Sequence, residues 1–212
     1  MVVALIHRAR LTPTKAELLA AWLPSRAWSG GAAAAPFELL AAYRFDDPAG
    51  EVGIETHLVR TARGQVLQVP LTYRGARRDG ADAALVGTTE HSHLGRRWVY
   101  DGCADPVYAA ALAATVLAGG RQADEWVETD GGHERREATA QVAGTGTPAT
   151  AVPAIDSVAV EDGPTATTVE APGYRLVVLR EIGADASPDG AECLTGSWAG
   201  RDEPALLALL RR

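Results

Sequence analysis

Lysine is almost missing from this chain: of 20 basic residues among 212, Lys15 alone is not arginine. Any lysine that grips a phosphate would therefore have to be Lys15. Cysteine is equally scarce, and Cys103 and Cys193 are too few for a disulfide scaffold or a structural zinc site. No histidine follows His133. Long apolar runs are missing too. The opening MVVALIHRARL has only about five apolar residues before charge returns, short of a signal-peptide core or a membrane span. The net charge of −7 argues against a nucleic-acid partner, which needs a basic face. The Arg-Arg pairs at 77–78, 96–97, 135–136 and 211–212 lie scattered among acids and read as solvated surface. What remains is a globular protein expected in a reducing cytoplasm, as monomer or homodimer, with neither nucleic acid nor membrane as partner.

Periodicity predicts the rest in order. Thr14-Lys15-Ala16-Glu17 has the form of a capping box ahead of a helix that Pro24 stops. Strands follow over 37–45, 52–60 and 65–73, with Val52, Ile54, Thr56 and Leu58 on one face and Leu67, Val69, Leu71 and Tyr73 on one side. Pro70 lacks an N–H, which predicts an edge strand or a bulge there. Another strand spans 83–87. Asp105, Pro106 and the later Gly119-Gly120 delimit a helix over 106–118. Residues 144–153 have no periodicity and predict a linker, which we bound at 144–155. Beyond it come short strands and, at 203–211, a Leu-rich helix. The fold class expected is α+β: a curved antiparallel sheet packed by two helices, then a small β-rich unit over 156–212 that is small for an independent core and leans on the first.

Residues 90–108 read as the architectural joint. Arg97, Trp98 and Tyr100 form a short aromatic strand, Asp101 ends it, and Asp105 caps the next helix. Trp98 and Tyr100 are expected to project to opposite faces, with one of them buried against the helix. His91 and His93 alternate on a strand and could share a cation, with Asp101 and Cys103 nearby. The pattern is short and common by chance, so a polar turn competes with it, and no metal or other cofactor is expected. Cys103 precedes a helix N-terminus but has no base placed beside it, and it reads as a small buried hydrophobe, as does Cys193. Trp22, Arg26 and Trp28 are the candidate ligand or partner surface, because aromatic faces with a guanidinium can stack a sugar or a partner strand. The competing reading is an aromatic plug at the sheet's end. No catalytic residues are assigned.

Several of these segments, in this order, resemble the N-terminal cap of the actinobacterial maltokinases and related sugar kinases. They are Trp22-Leu23-Pro24-Ser25-Arg26-Ala27-Trp28-Ser29-Gly30-Gly31, Tyr43-Arg44-Phe45, Gln68-Val69-Pro70-Leu71, Leu94-Gly95-Arg96-Arg97-Trp98-Val99-Tyr100-Asp101-Gly102 and Asp105-Pro106-Val107. The resemblance covers roughly residues 10 to 120 and is taken as a cap-like domain over 1–143. A second similarity, over 155–200, sets Tyr174 to Glu181 against a nucleotide-lobe strand and Pro188-Asp189-Gly190-Ala191-Glu192 against the helix start that follows it.

The departures matter as much. Such kinases are much longer and carry a catalytic lobe with an H-x-D loop and metal-binding acids, which this sequence lacks after His133. Valine stands near the place of the phosphate-binding lysine in Arg175-Leu176-Val177-Val178-Leu179-Arg180. The resemblance thus implies a free-standing cap with a degenerate nucleotide lobe. It would act as a non-catalytic binding or regulatory module with a protein partner in α-glucan, trehalose or maltose metabolism. The alternatives are one subunit of a split sugar kinase that borrows a catalytic lobe, or a metal-dependent enzyme using His91 and His93.

Overall fold

A computed structural model describes residues 5–6, 10–30, 36–129, 132–148 and 154–212. Two short strands open the described chain, β1 (Leu5–Ile6) and β2 (Leu11–Thr12). Helix α1 (Lys15–Trp22) starts at the expected capping box. Thr14 Oγ1 accepts from the Glu17 N–H at 3.3 Å, and the Glu17 carboxylate accepts from the Thr14 N–H at 2.7 Å. Pro24 then allows only a one-turn 3-10 helix, Leu23–Ser25.

Strands β3 (Glu38–Phe45), β4 (Gly53–Arg60), β5 (Val66–Arg74), β6 (Leu85–His91) and β7 (Gly95–Asp101) follow, and then helix α2 (Pro106–Leu117). With β2 the five make a curled antiparallel sheet in the order β2-β6-β7-β5-β4-β3. Next come β8 (Glu125–Thr129), β9 (Gly132–Arg136), β10 (Ala140–Gly144), β11 (Ala159–Asp162), β12 (Ala166–Ala171), β13 (Tyr174–Leu179), β14 (Glu192–Trp198) and β15 (Arg201–Arg211). They supply a small sheet, β1-β8-β9, and a second six-stranded one, β10-β14-β15-β13-β12-β11. The fold is α+β, as expected.

Register explains how the layers stack. Opposed residues share a face, so Glu55, His57 and Val59 of β4 lie beside Leu71, Val69 and Leu67 of β5. That face receives Leu18, Leu19, Trp22 and Leu23 from α1. Ile54 and Leu58 point the other way with Tyr43 and Phe45, onto Tyr108, Leu112 and Val116 of α2. The far side of α2 packs on Leu176, Val178, Leu194 and Leu207 of the second large sheet. Helix α2 is therefore buried between the two sheets, and its Asp105 cap accepts from the Val107 N–H at 3.1 Å.

Four expectations are corrected. Strand β5 is neither an edge nor bulged. Its first half pairs on one side with residues 180–182, where the Gln68 N–H donates to Arg180 O at 2.8 Å and the Ile182 N–H to Val66 O at 2.8 Å. Strand β7 takes over that side at Leu71, so the missing N–H of Pro70 falls between two partners. Residues 203–211 are strand rather than helix. Strand β15 lies between β13, which pairs with residues 208–211, and β14, which pairs along its length with two irregularities, and these ladders outweigh the helix propensity of leucine and alanine. Residues 188–191 form a turn, Ala191 N–H to Pro188 O at 2.9 Å, that leads into β14 rather than into a helix. Trp98 and Tyr100, two apart on a regular strand, share a face instead of opposing each other.

The first residues of the segment expected as a linker are anchored. Gly144 ends β10, and Gly146 N–H donates to Val116 O at 2.9 Å. A Cβ on Gly146 would lie 2.0 Å from Leu117 O, so only glycine allows this approach to the end of α2. Residues 149–153 of that segment lie outside the described residues.

Candidate functional site

The aromatic trio assembles as a stack. Trp22 and Trp28 meet edge to face at 5.7 Å, the Arg26 guanidinium lies 5.2 Å from the Trp22 ring, and Arg180 lies 4.5 Å from the Trp28 ring. Trp22 and Trp28 are 5% and 1% exposed, so neither ring offers an open face and Arg26 alone forms the accessible rim. Nothing local signals that Arg180 would cover Trp28, because that contact joins residues about 150 positions apart in the chain.

The joint of residues 97–105 is a polar knot around the start of α2. Asp105, fully buried, takes a two-pronged ion pair from Arg74 at 2.7 Å on each oxygen and the Thr72 hydroxyl at 2.8 Å. Burial works to raise its carboxyl pKa, but the bonds from Arg74 and Thr72 outweigh that and hold it below the usual range. Tyr100 is buried, and its hydroxyl accepts from the Arg78 N–H at 2.8 Å, whereas Trp98 is half-buried. Arg97 turns back to donate to Leu94 O at 2.8 Å. Asp101 holds the Cys103 N–H at 3.1 Å with one oxygen and Arg180 at 2.5 Å with the other. Arg180 also donates to the Thr167 hydroxyl at 2.7 Å. These residues fasten elements together.

His91 and His93 lie with ring centroids 6.2 Å apart. The Nδ1 of His91 accepts the backbone N–H groups of His93 and Leu94, at 3.2 and 3.1 Å, which makes the pair part of the β6–β7 turn. Among the described residues no group of three or more His, Cys, Asp or Glu side chains is placed to hold a metal ion. Burial pushes the Cys103 thiol far up, which keeps it protonated, and it also raises that of Cys193.

A cluster absent from the sequence reading lies on the α1 face of the first sheet. Lys15 Nζ reaches Glu55 Oε2 at 2.6 Å, and His57 Nε2 stands 3.4 Å from the same oxygen. Glu55 and His57 are buried, and the Lys15 side chain is 31% exposed. Burial opposes ionisation of Glu55, but His57, Lys15 and Arg44 overcome it and hold the carboxyl well below its ordinary value. Burial and the Glu55 charge push the Tyr73 phenol well up, with Arg44 opposing. Glu125, from β8, has its carboxyl raised by burial against the pull of Arg44 and Arg136. The only sequence signal was alternation, because Glu55 and His57 are out of phase with the Ile54-Thr56-Leu58 face. Beyond Glu125 a cavity of about 260 Å³ is lined by Gln122, Asp124, Glu125, Arg135, Arg136 and Gln141, with Arg135 and Asp124 paired at 2.5 Å.

Two six-stranded sheets enclose helix α2, and the buried Arg180–Asp101 pair joins them. Residues 22–105 match the maltokinase N-terminal cap domain, and the resemblance read from the sequence holds over that stretch. No curated protein matches the chain. A solved glucosamine kinase in complex with glucosamine, ADP and inorganic phosphate is similar at a TM-score of 0.46 and 18% identity. That likeness covers 94% of this chain and 40% of that one, so the chain spans less than half of the enzyme's length. Among the described residues no helix is long and apolar enough to cross a membrane.

Proposed function

We propose that this chain acts as a non-catalytic binding or regulatory module of the sugar-kinase cap type, serving a partner in α-glucan, trehalose or maltose metabolism. The observation that carries the reading is where Lys15 lies. Phosphoryl transfer needs a cation on the phosphates, acids for magnesium and a group to orient the acceptor. The one lysine is paired to Glu55 on the α1 face, away from α2 and β13. In this reading residues 1–143 are the cap, 156–212 are the nucleotide-lobe-like part, and the partner meets the rim at Arg26.

The test is an assay of the purified chain with magnesium-ATP and maltose, glucose or glucosamine. No turnover is expected, and calorimetry should show no or weak nucleotide binding. Product formed without a second protein, and surviving Lys15→Ala, would overturn the reading. Affinity capture from native cytoplasm with mass spectrometry separates module from split kinase: a captured catalytic lobe that restores turnover to the chain makes it a kinase subunit.

A further inference from the structure

Strand register sets a glutamate directly opposite an arginine at Glu38–Arg60, Glu90–Arg96 and Glu170–Arg175. Side chains so opposed stand close enough to pair, and these three pairs close, at 3.1, 2.7 and 2.6 Å. Glu55, opposite Arg44, takes Lys15 instead, at 2.6 Å. Glu125 of β8 stands opposite Arg136 of β9 in the same way, yet among the described residues neither side chain has a hydrogen bond or an ion pair. Glu125 is only 8% exposed, and burial raises its carboxyl against the pull of Arg44, Arg136 and Lys15. A buried acid without a partner is costly. The space that it lines is the cavity of about 260 Å³. The other walls of that cavity are engaged. Asp124 holds Arg135, the Gln122 amide donates to Gln141 and accepts from the Val142 N–H at 2.8 Å, and Gln141 donates to Ala138 O at 3.3 Å. Glu137 also lines the space but is exposed to solvent. What the cavity offers is thus a buried carboxylate on one strand and an uncommitted guanidinium on the next.

We propose that this cavity binds a small zwitterion, whose ammonium group sits on Glu125 and whose anionic group sits on Arg136. The ligand closes, from outside, the ion pair that register prepares and the side chains leave open. A plain amine would satisfy Glu125 and leave Arg136 uncommitted. A plain anion would reach Arg136 but meet the Glu125 charge at short range, where like charges repel. A ligand of both signs completes both groups, and charge-assisted hydrogen bonds of this kind are the strong ones. The volume lies below the roughly 300–1,000 Å³ of drug-sized pockets, which suits a molecule of amino-acid size. The arginine fork accepts a carboxylate or a phosphate as the anionic group. The site needs neither the partner nor the nucleotide of the module reading, so its failure would leave that reading standing.

The test is a titration of the full chain at neutral pH followed by amide NMR. L-Alanine and phosphoethanolamine are the two zwitterionic probes, with ethylamine and acetate as single-charge controls. At least one zwitterion should give a saturable shift centred on residues 122–126 and 134–142, with a Kd of about 1 mM or tighter. The tighter of the two identifies the anionic group as carboxylate or phosphate. Each control should bind at least about tenfold more weakly, and Glu125→Gln and Arg136→Gln should each weaken the zwitterion by about ten- to a hundredfold. Glu125→Gln removes an unpaired buried charge, so the Tm of the free protein should hold or rise. A carboxylate that served only the fold would give a lower Tm and no change in binding. The proposal is overturned by no saturable shift with either zwitterion up to about 20 mM, by a control that binds as well as the zwitterions, by binding unchanged in both variants, or by a lower Tm in Glu125→Gln.

Discussion

Arg180 and Asp101 form an ion pair at 2.5 Å, with the arginine side chain fully buried. One comes from the end of β13 and the other from the end of β7, so the pair fixes the second large sheet to the first at the entry to α2. Pairing with Asp101, helped by the Thr167 hydroxyl and the Trp28 face, keeps the guanidinium charged in the interior.

Removing one partner should therefore strand the other. Arg180→Ala or Asp101→Ala is expected to cost about 3–5 kcal/mol, read as a shift in urea midpoint. A loss below about 1 kcal/mol would show that water reaches the pair.

Asp105 gives a pH-dependent contribution. Its carboxyl pKa is lowered from 3.8, so its stabilisation is present above that value and is lost as pH falls through the folded-state value. Acid unfolding of the parent should be steeper below about pH 4 than that of Asp105→Asn, which is less stable at pH 7 but titrates nothing there.

The two aromatics of β7 should separate. Tyr100→Ala is expected to cost about 3–5 kcal/mol, and half-buried Trp98→Ala only about 1–3 kcal/mol, in thermal or urea unfolding. Equal losses would contradict the difference in their burial.

Gly146→Ala is expected to destabilise by about 2–4 kcal/mol, since its Cβ would meet the carbonyl oxygens of Leu117 and Val116 at 2.0 and 2.6 Å. Limited proteolysis should leave 144–146 uncut in the parent and open it in this variant.

Much of the first sheet was legible in the sequence. Glycine and proline punctuate its strands, alternation marks their faces, and the Thr14-to-Glu17 box and Asp105-Pro106 set the helix starts within a residue. Strand β15 was not legible, because Leu206 to Leu210 satisfies a helix until two neighbouring strands supply ladders. Nor was Pro70, whose tolerance depends on a gap between partners distant in sequence. The candidate sites divide the same way. Trp22, Arg26 and Trp28 were read as neighbours because they are local, whereas Arg180 over Trp28 and Lys15 on Glu55 are long-range contacts that periodicity cannot register.

The pairing of residues 180–182 with β5 bears on how the protein can be dissected. The segment that matches the cap model, 22–105, ends well before those residues. Expressed alone it would expose the backbone of 66–69 on one flank, uncap the Trp28 ring and leave Asp101 without its cation. An unsatisfied strand flank invites pairing with a second molecule. The excised segment is thus an aggregation hazard, and the boundary that homology draws around the cap is not a boundary at which the polypeptide can be cut.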